Sequence, residues 1–260
     1  MALPWPICYL LIAVMLIALI ADVHANQLAL QACLERAENL GVDRFVFLGD
    51  LVGYGPNPED VIRIVRALHE RGAVVIKGNH DHAINEPREQ MNERARLVID
   101  WTRNRLSSVD KAYLAALPMM VAEEDILYVH ADASMPTAWN YVTGPVRARN
   151  SLAATTATYT FCGHTHVPAL FCLSATAKLT THVPVTDVDV PVGHHRQWLA
   201  VIGAAGQPRD GNPAAAFATY DANSRILTFR RAPYDVDAQI ARVRRAGLPD
   251  LLAVRLLVGR

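Results

Sequence analysis

The chain has 260 residues, of which 52% are hydrophobic and 19% charged, so it can bury a sizeable core in one large domain or two small ones. Its 25 basic and 25 acidic residues cancel. That balance offers no basic face along which to track a nucleic acid, and no acidic tail of the solvating kind.

Residues 1–21, MALPWPICYLLIAVMLIALIA, carry no charged side chain and are long enough to span a bilayer. No basic segment precedes the apolar run, however, and Asp22 follows it at once. If Leu16 to Ala21 form a strand ending at Asp22, too little remains upstream to cross a membrane. Met15 would begin a compact MLIALIADVHAN start. The expectation is an extension or poorly ordered tail over 1–14 and a single domain over 15–260, acting in the cytoplasm with no membrane partner. Intact mass of the native protein tests this. Cys8, Cys33, Cys162 and Cys172 form no CxxC pair and each sits in an apolar stretch, which predicts buried free thiols in a reducing compartment.

Strand and helix then alternate. Gln27–Leu40 reads as an amphipathic helix with Asn26 as its cap and Gly41 as its stop; Phe45–Leu48 reads as a strand. Pro58 opens a helix reaching about Arg71, and Ala73–Ile76 is a third strand. Helices follow over 89–104 and 110–117, the second capped near Ser108. The later half is strand-rich: 126–129, 159–162, 169–173, 177–182, 197–202, 215–220 and 226–229, mostly joined by Gly, Pro, Asn or Asp turns. A helix over Asp235–Ala246 closes the pattern. The alternating half predicts a parallel sheet and the strand-rich half a second sheet packed on it, an α/β fold of two mixed sheets flanked by helices.

Five apolar runs stop at a cluster of His, Asp or Asn. These are Asp22-Val23-His24, Gly49-Asp50, Gly78-Asn79-His80-Asp81, His130, and Gly163-His164-Thr165-His166. Singly, each is ordinary turn or buried-histidine chemistry. Jointly, they deliver metal-ligand side chains to the carboxyl ends of strands, where open α/β sheets collect ligands. Two cations about 3.5–4 Å apart would acidify a bridging water and clamp phosphoryl oxygens for in-line attack, with no nucleophilic Ser or Cys required. Imidazoles, carboxylates and an amide favour Mn, Fe, Zn, Co or Ni over Mg or Ca, with Mn²⁺ the first choice.

The order D-x-H, G-D, G-N-H-D, H, G-H-x-H resembles the calcineurin-like metallophosphoesterase superfamily from about Leu16 onward. Gly49 to Pro56 and Gly206 to Gly211 look like a small prokaryotic phosphodiesterase-like branch, often loosely labelled diadenosine tetraphosphatase-like. The resemblance implies an αββα sandwich. It also implies one ion on Asp22, His24, Asp50 and His166, and a second on Asp50, Asn79, His130 and His164, Asp50 bridging. His80 would face the substrate, stabilising or protonating the leaving oxygen, and Asp81 would orient its ring. The implied activity is hydrolysis of a phosphomonoester or phosphodiester through a metal-bridging hydroxide, on a small phosphorylated, nucleotide-like substrate. Competing readings are a non-catalytic metal-binding scaffold, a phosphoprotein phosphatase, a nuclease and a membrane-tethered hydrolase. The branch's Asn-Pro-Gly-Ser ahead of Gly206 is replaced here by Val201-Ile202-Gly203-Ala204. Positions 53 and 54 are Gly and Tyr, where Ser/Thr protein phosphatases carry Asp-Arg. Arg209 is a candidate phosphate grip and Tyr54 a candidate stacking surface, against the plainer readings of an exposed turn charge and loop packing.

Overall fold

The computed structural model describes residues 15–87 and 93–260. The expectations for 1–14, for Cys8 and for the start of the 89–104 helix lie outside the described residues.

In chain order the elements are β1 (Leu16–Ile20), α1 (Gln27–Asn39), β2 (Arg44–Phe47), α2 (Pro58–Glu70), β3 (Val74–Val75), α3 (Asn79–Asn85), α4 (Glu93–Arg105) and α5 (Ser108–Ala116). There follow β4 (Met120–Glu123), β5 (Ile126–Val129), α6 (Pro145–Ala153), β6 (Tyr159–Cys162), β7 (Ala169–Leu173), β8 (Leu179–His182), β9 (Asp189–Pro191) and β10 (Gln197–Val201). The chain closes with β11 (Ala215–Asp221), β12 (Ile226–Ala232), α7 (Val236–Arg245) and α8 (Asp250–Val258). Caps follow the local chemistry. The Asn26 side chain accepts from the Ala29 N–H, and Ser107, the neighbour of Ser108, accepts from Asp110 N–H. Among the described residues no helix is long and apolar enough to cross a membrane.

Two mixed six-stranded sheets result, ordered β3-β2-β1-β11-β12-β9 and β4-β5-β6-β10-β7-β8. β1, β2 and β3 run parallel, as do β5, β6 and β10. One expectation is corrected here. The strand-rich half does not form a sheet of its own, because β11 and β12 return to the first sheet and β11 pairs antiparallel with β1, Leu16 opposite Asp221. An antiparallel neighbour needs no crossover helix, so the late strands close the edge that the βαβ units leave open.

β1 shows why the sheets stack. Ile17 and Leu19 join Tyr128, Phe161 and Trp198 between the sheets, while Ala18 and Ile20 face Leu30 and Cys33 of α1 and Val61 and Val65 of α2. Each fully buried Leu or Ile of this kind contributes about 1.5–3 kcal/mol. The outer face of the second sheet packs Val129, Leu199 and Val201 on Ala148 and Leu152 of α6. Cys33, Cys162 and Cys172 are buried free thiols, as composition predicts. With both sheets covered, the carboxyl ends of their parallel strands open on the same edge of the sandwich.

Candidate metal centre

The loops leaving β1 and β2 stay paired beyond the strands. Asp22, His24 and Ala25 donate their N–H groups to the carbonyls of Gly49, Asp50 and Leu51 at 3.1, 2.9 and 2.8 Å. The second sheet is tied to the same place, since Gly206 N–H reaches Asp22 O at 2.9 Å and His164 N–H reaches Asp22 Oδ2 at 2.8 Å. Close approach is bought with glycine: a Cβ on Gly78 would lie 2.2 Å from Asp50 Oδ1, and one on Gly163 would lie 2.4 Å from Asp22 Oδ2. Asp22, His24, Asp50, His164 and His166 all adopt left-handed backbone, with φ between 48° and 66°. Such conformations cost on the order of 1–3 kcal/mol each and gather where the side-chain direction matters more than local comfort.

All seven candidate ligands meet there. His24 Nε2 faces His166 Nε2 at 3.0 Å, and His130 Nε2 faces His164 Nδ1 at 3.2 Å. Asp22 Oδ1 lies 3.3 Å from His166 Nε2 and has no hydrogen-bond partner, while Asn79 Oδ1 lies 3.2 Å from His130 Nε2. Asp50 Oδ2 reaches both sets, 3.6 Å from His24 Nε2 and 3.4 Å from His130 Nε2. Its other oxygen accepts the His80 N–H at 2.8 Å, which fixes the carboxylate's rotation.

The outer nitrogens decide what these contacts mean. Each ring points its second nitrogen at a backbone carbonyl: His24 Nδ1 at Val52 O (3.1 Å), His166 Nδ1 at Gln207 O (2.6 Å), His130 Nδ1 at Leu48 O (2.7 Å) and His164 Nε2 at Trp139 O (2.8 Å). A carbonyl only accepts, so each outer nitrogen carries the proton and the inner one of a neutral ring is bare. Bare nitrogens 3 Å apart, with carboxylate and amide oxygens beside them, repel unless something positive lies between. Donors about 2.1 Å from one ion stand roughly 3.0–3.4 Å from each other. The donor set therefore fits divalent cations, and the carbonyl tethers are the usual way a ligating histidine is oriented.

Electrostatics divide the two sets. Burial holds His24 well below the ordinary imidazole range, so it is neutral. Burial acts the same way on His130, but the Asp50 carboxylate overcomes it and raises the ring to about 9, so a proton fills that half when no cation does. Asp22 would rise on burial, yet the neighbouring His166 brings it to about 2.

His80 is buried beside Asp50, its ring 4.8 Å from that of His24, and its Nδ1 has no partner. Burial lowers it to about 4. Asp81 departs from its expected role. Its oxygens accept from the backbone N–H groups of Leu51, Val52 and Gly78 at 2.9, 3.2 and 3.0 Å, and none reaches the His80 ring. It braces the two loops that carry Asp50 and Asn79, and burial raises its carboxyl to about 7. Tyr54 packs against the rings of His80 (4.5 Å) and His24 (4.6 Å), with the Arg209 guanidinium carbon 5.9 Å from its ring centre. In place of the branch's Asn-Pro-Gly-Ser, Ile202 and Ala204 are buried and Gly203 packs under Pro168. Sequence reasoning missed Trp139 and Tyr141. The Trp139 carbonyl holds His164, and the Tyr141 ring stacks on His164 at 4.2 Å and 14°. No local pattern marks either residue; two aromatics three and five residues after Pro136 are the only hint.

A family model for the calcineurin-like phosphoesterase superfamily domain matches residues 15–225. A metallophosphoesterase crystal structure from Sphaerobacter thermophilus superposes with a TM-score of 0.85 and 35% identity, covering 95% of this chain and 100% of that one. A hypothetical protein from Pyrococcus horikoshii shares the fold at TM-score 0.76 and 19% identity, over 95% and 99% of the two chains. An uncharacterized protein of Methanocaldococcus jannaschii is 28% identical over 94% of this chain and 98% of its own. A symmetrical bis(5'-nucleosyl)-tetraphosphatase of Pectobacterium atrosepticum is 30% identical over 50% of this chain, which spans only 47% of that relative. The motif order read from the sequence, the converging donors and the matched domain agree: the chain belongs to the calcineurin-like phosphoesterase superfamily.

Proposed function

We propose that the protein is a two-metal phosphoesterase of the cytoplasm that hydrolyses a phosphodiester or phosphomonoester bond in a small, nucleotide-like substrate. Asp22, His24, Asp50 and His166 hold one cation, and Asp50, Asn79, His130 and His164 hold the other. The observation that carries this reading is the pair of inward-facing imidazole couples, 3.0 and 3.2 Å apart, spanned by Asp50 Oδ2. Mn²⁺ is the first choice of metal, with Fe, Zn, Co and Ni compatible with the same donors. Bound divalent cations supply an acidified water and neutralise charge on the phosphoryl oxygens.

The chain's own residues do the rest. Asp50, its second oxygen locked by the His80 N–H, keeps the two donor sets in one frame. His80 is neutral at pH 7 because burial lowers it to about 4, so it acts as an N–H donor to developing charge on the leaving oxygen. Asp81 holds the loops after β2 and β3 at a fixed spacing through three backbone N–H groups. Buried free thiols at Cys33, Cys162 and Cys172 suit a reducing compartment.

The test is an assay of metal-reconstituted protein on bis-p-nitrophenyl phosphate, p-nitrophenyl phosphate and a dinucleoside polyphosphate panel. Asp50→Asn keeps the shape but removes the shared charge, and is expected to lower turnover on the order of 10³-fold or more, since several kcal/mol of charge stabilisation goes with it. Two bound metals with no turnover of any ester would favour a scaffold.

A further inference from the structure

A charged residue in the turn after Gly206-Gln207-Pro208 should point to water. Arg209 does not. Its backbone N–H donates to the His166 carbonyl at 3.2 Å, tying it to the metal centre. Its guanidinium carbon lies 5.9 Å from the centre of the Tyr54 ring, and that ring rests on His80 at 4.5 Å and on His24 at 4.6 Å. The platform is built rather than incidental. Tyr54 is held at φ 57°, and a Cβ on the preceding Gly53 would strike His80 Nδ1 at 2.3 Å.

One donor of Arg209 is also unmet. Its Nε is buried and has no hydrogen-bond partner. Among the described residues no carboxylate lies within ion-pair distance of it, and its neighbour Asp210 is held by Arg231. A buried donor left unmet costs about 1–3 kcal/mol, more when charged, unless a ligand completes it. The natural complement of a guanidinium fork is a phosphate or carboxylate.

We propose that Arg209, on its Tyr54 platform, takes the phosphoryl group adjacent to the one being cleaved, so that the site selects phosphoanhydrides over esters of a single phosphate. This rests on the reading above that the metal centre handles the scissile phosphoryl group. Hydrolysis then adds water across a P–O–P linkage: water oxygen joins the attacked phosphorus, and the bridging oxygen leaves on the adjacent phosphate, whose charge faces Arg209. No redox partner is needed. A diester with one phosphate has no second anion to offer, and gains nothing from the guanidinium.

The experiment uses the metal-reconstituted full chain and compares wild type, Arg209→Gln and Arg209→Lys. Calorimetry measures affinity for inorganic phosphate and for imidodiphosphate, a non-hydrolysable pair of linked phosphates. Wild type should prefer imidodiphosphate by about tenfold or more, as a charge-assisted pair predicts, and Arg209→Gln should lose most of that preference. Arg209→Lys, which keeps the charge but not the fork, should retain an intermediate preference. The ratio of kcat/KM for a dinucleoside polyphosphate to that for bis-p-nitrophenyl phosphate should fall in the same order, mainly through KM. Equal losses on both ligands, an unchanged preference in Arg209→Gln, or a loss on phosphate alone would each overturn the proposal. A wild type that hydrolyses bis-p-nitrophenyl phosphate without preferring linked phosphates overturns it and leaves the metal reading standing. If no ester is turned over, the hydrolytic reading fails while the binding comparison still decides the role of Arg209.

Discussion

The two imidazole couples of the candidate metal centre share one design and rest on different supports. His24 and His166 are tethered to the carbonyls of Val52 and Gln207, both buried where the strand-end loops pair. In the other couple, His130 is tethered to Leu48 at the end of β2, but His164 depends on the Trp139 carbonyl and lies under the ring of Tyr141, a residue 49% exposed. Protonation separates them further: His24 is neutral through burial, whereas Asp50 keeps His130 charged up to about 9 when no metal is present. One half is therefore set by the sheets themselves, and the other by a surface loop and a proton.

This contrast can be broken or sharpened experimentally. The largest expected effect tests whether His80 stands apart from both halves: His80→Ala should lower kcat by about 10²–10³-fold, as loss of a positioned hydrogen-bond donor to developing charge does, with metal content unchanged. Loss of a metal instead would place His80 among the ligands. Next comes pH. Binding a cation at the His130 half must expel its proton, so affinity there should rise by roughly tenfold per pH unit as the pH climbs from 7 towards 9, then level off. The His24 ring has no proton to give up in that range, so its half should change far less; titrations at pH 7, 8 and 9 read both. The smallest effect concerns the loop. Tyr141→Ala removes a stacked ring worth about 0.5–1.5 kcal/mol, so metal affinity of the His164 half should drop about 2–12-fold while the His24 half holds. An equal drop in both halves would erase the distinction.

What could be read in the sequence follows the same division. β5, β6 and β7 fall on the expected residues because continuous apolar runs meet a sharp chemical boundary, as where Ile126–Val129 stops at His130. The candidate ligands converge because those boundaries share one edge. Other features are set by partners distant in sequence. α3 begins at Asn79 itself, and seven residues of mixed polarity give no helical periodicity. β4 and β9 are short edge strands with little burial. The return of β11 to β1 is a choice of neighbour that alternation alone does not encode. The family resemblance assigns Asp81 to orienting His80, but its reach to Leu51 and Val52 depends on contacts across 30 and 29 positions. Trp139 and Tyr141 act through a backbone carbonyl and a stacked ring, and neither leaves a motif.

The central claim is that four carbonyl-tethered imidazoles present bare inner nitrogens to two cations sharing Asp50. Calorimetric titration of metal-stripped protein with Mn²⁺, run in buffers of different ionisation enthalpy to count released protons, tests it most directly. The account predicts two ions per chain in two resolvable steps, with net proton release at pH 7.5 confined to the weaker step. Binding of a single ion, or two steps without proton release, would contradict it.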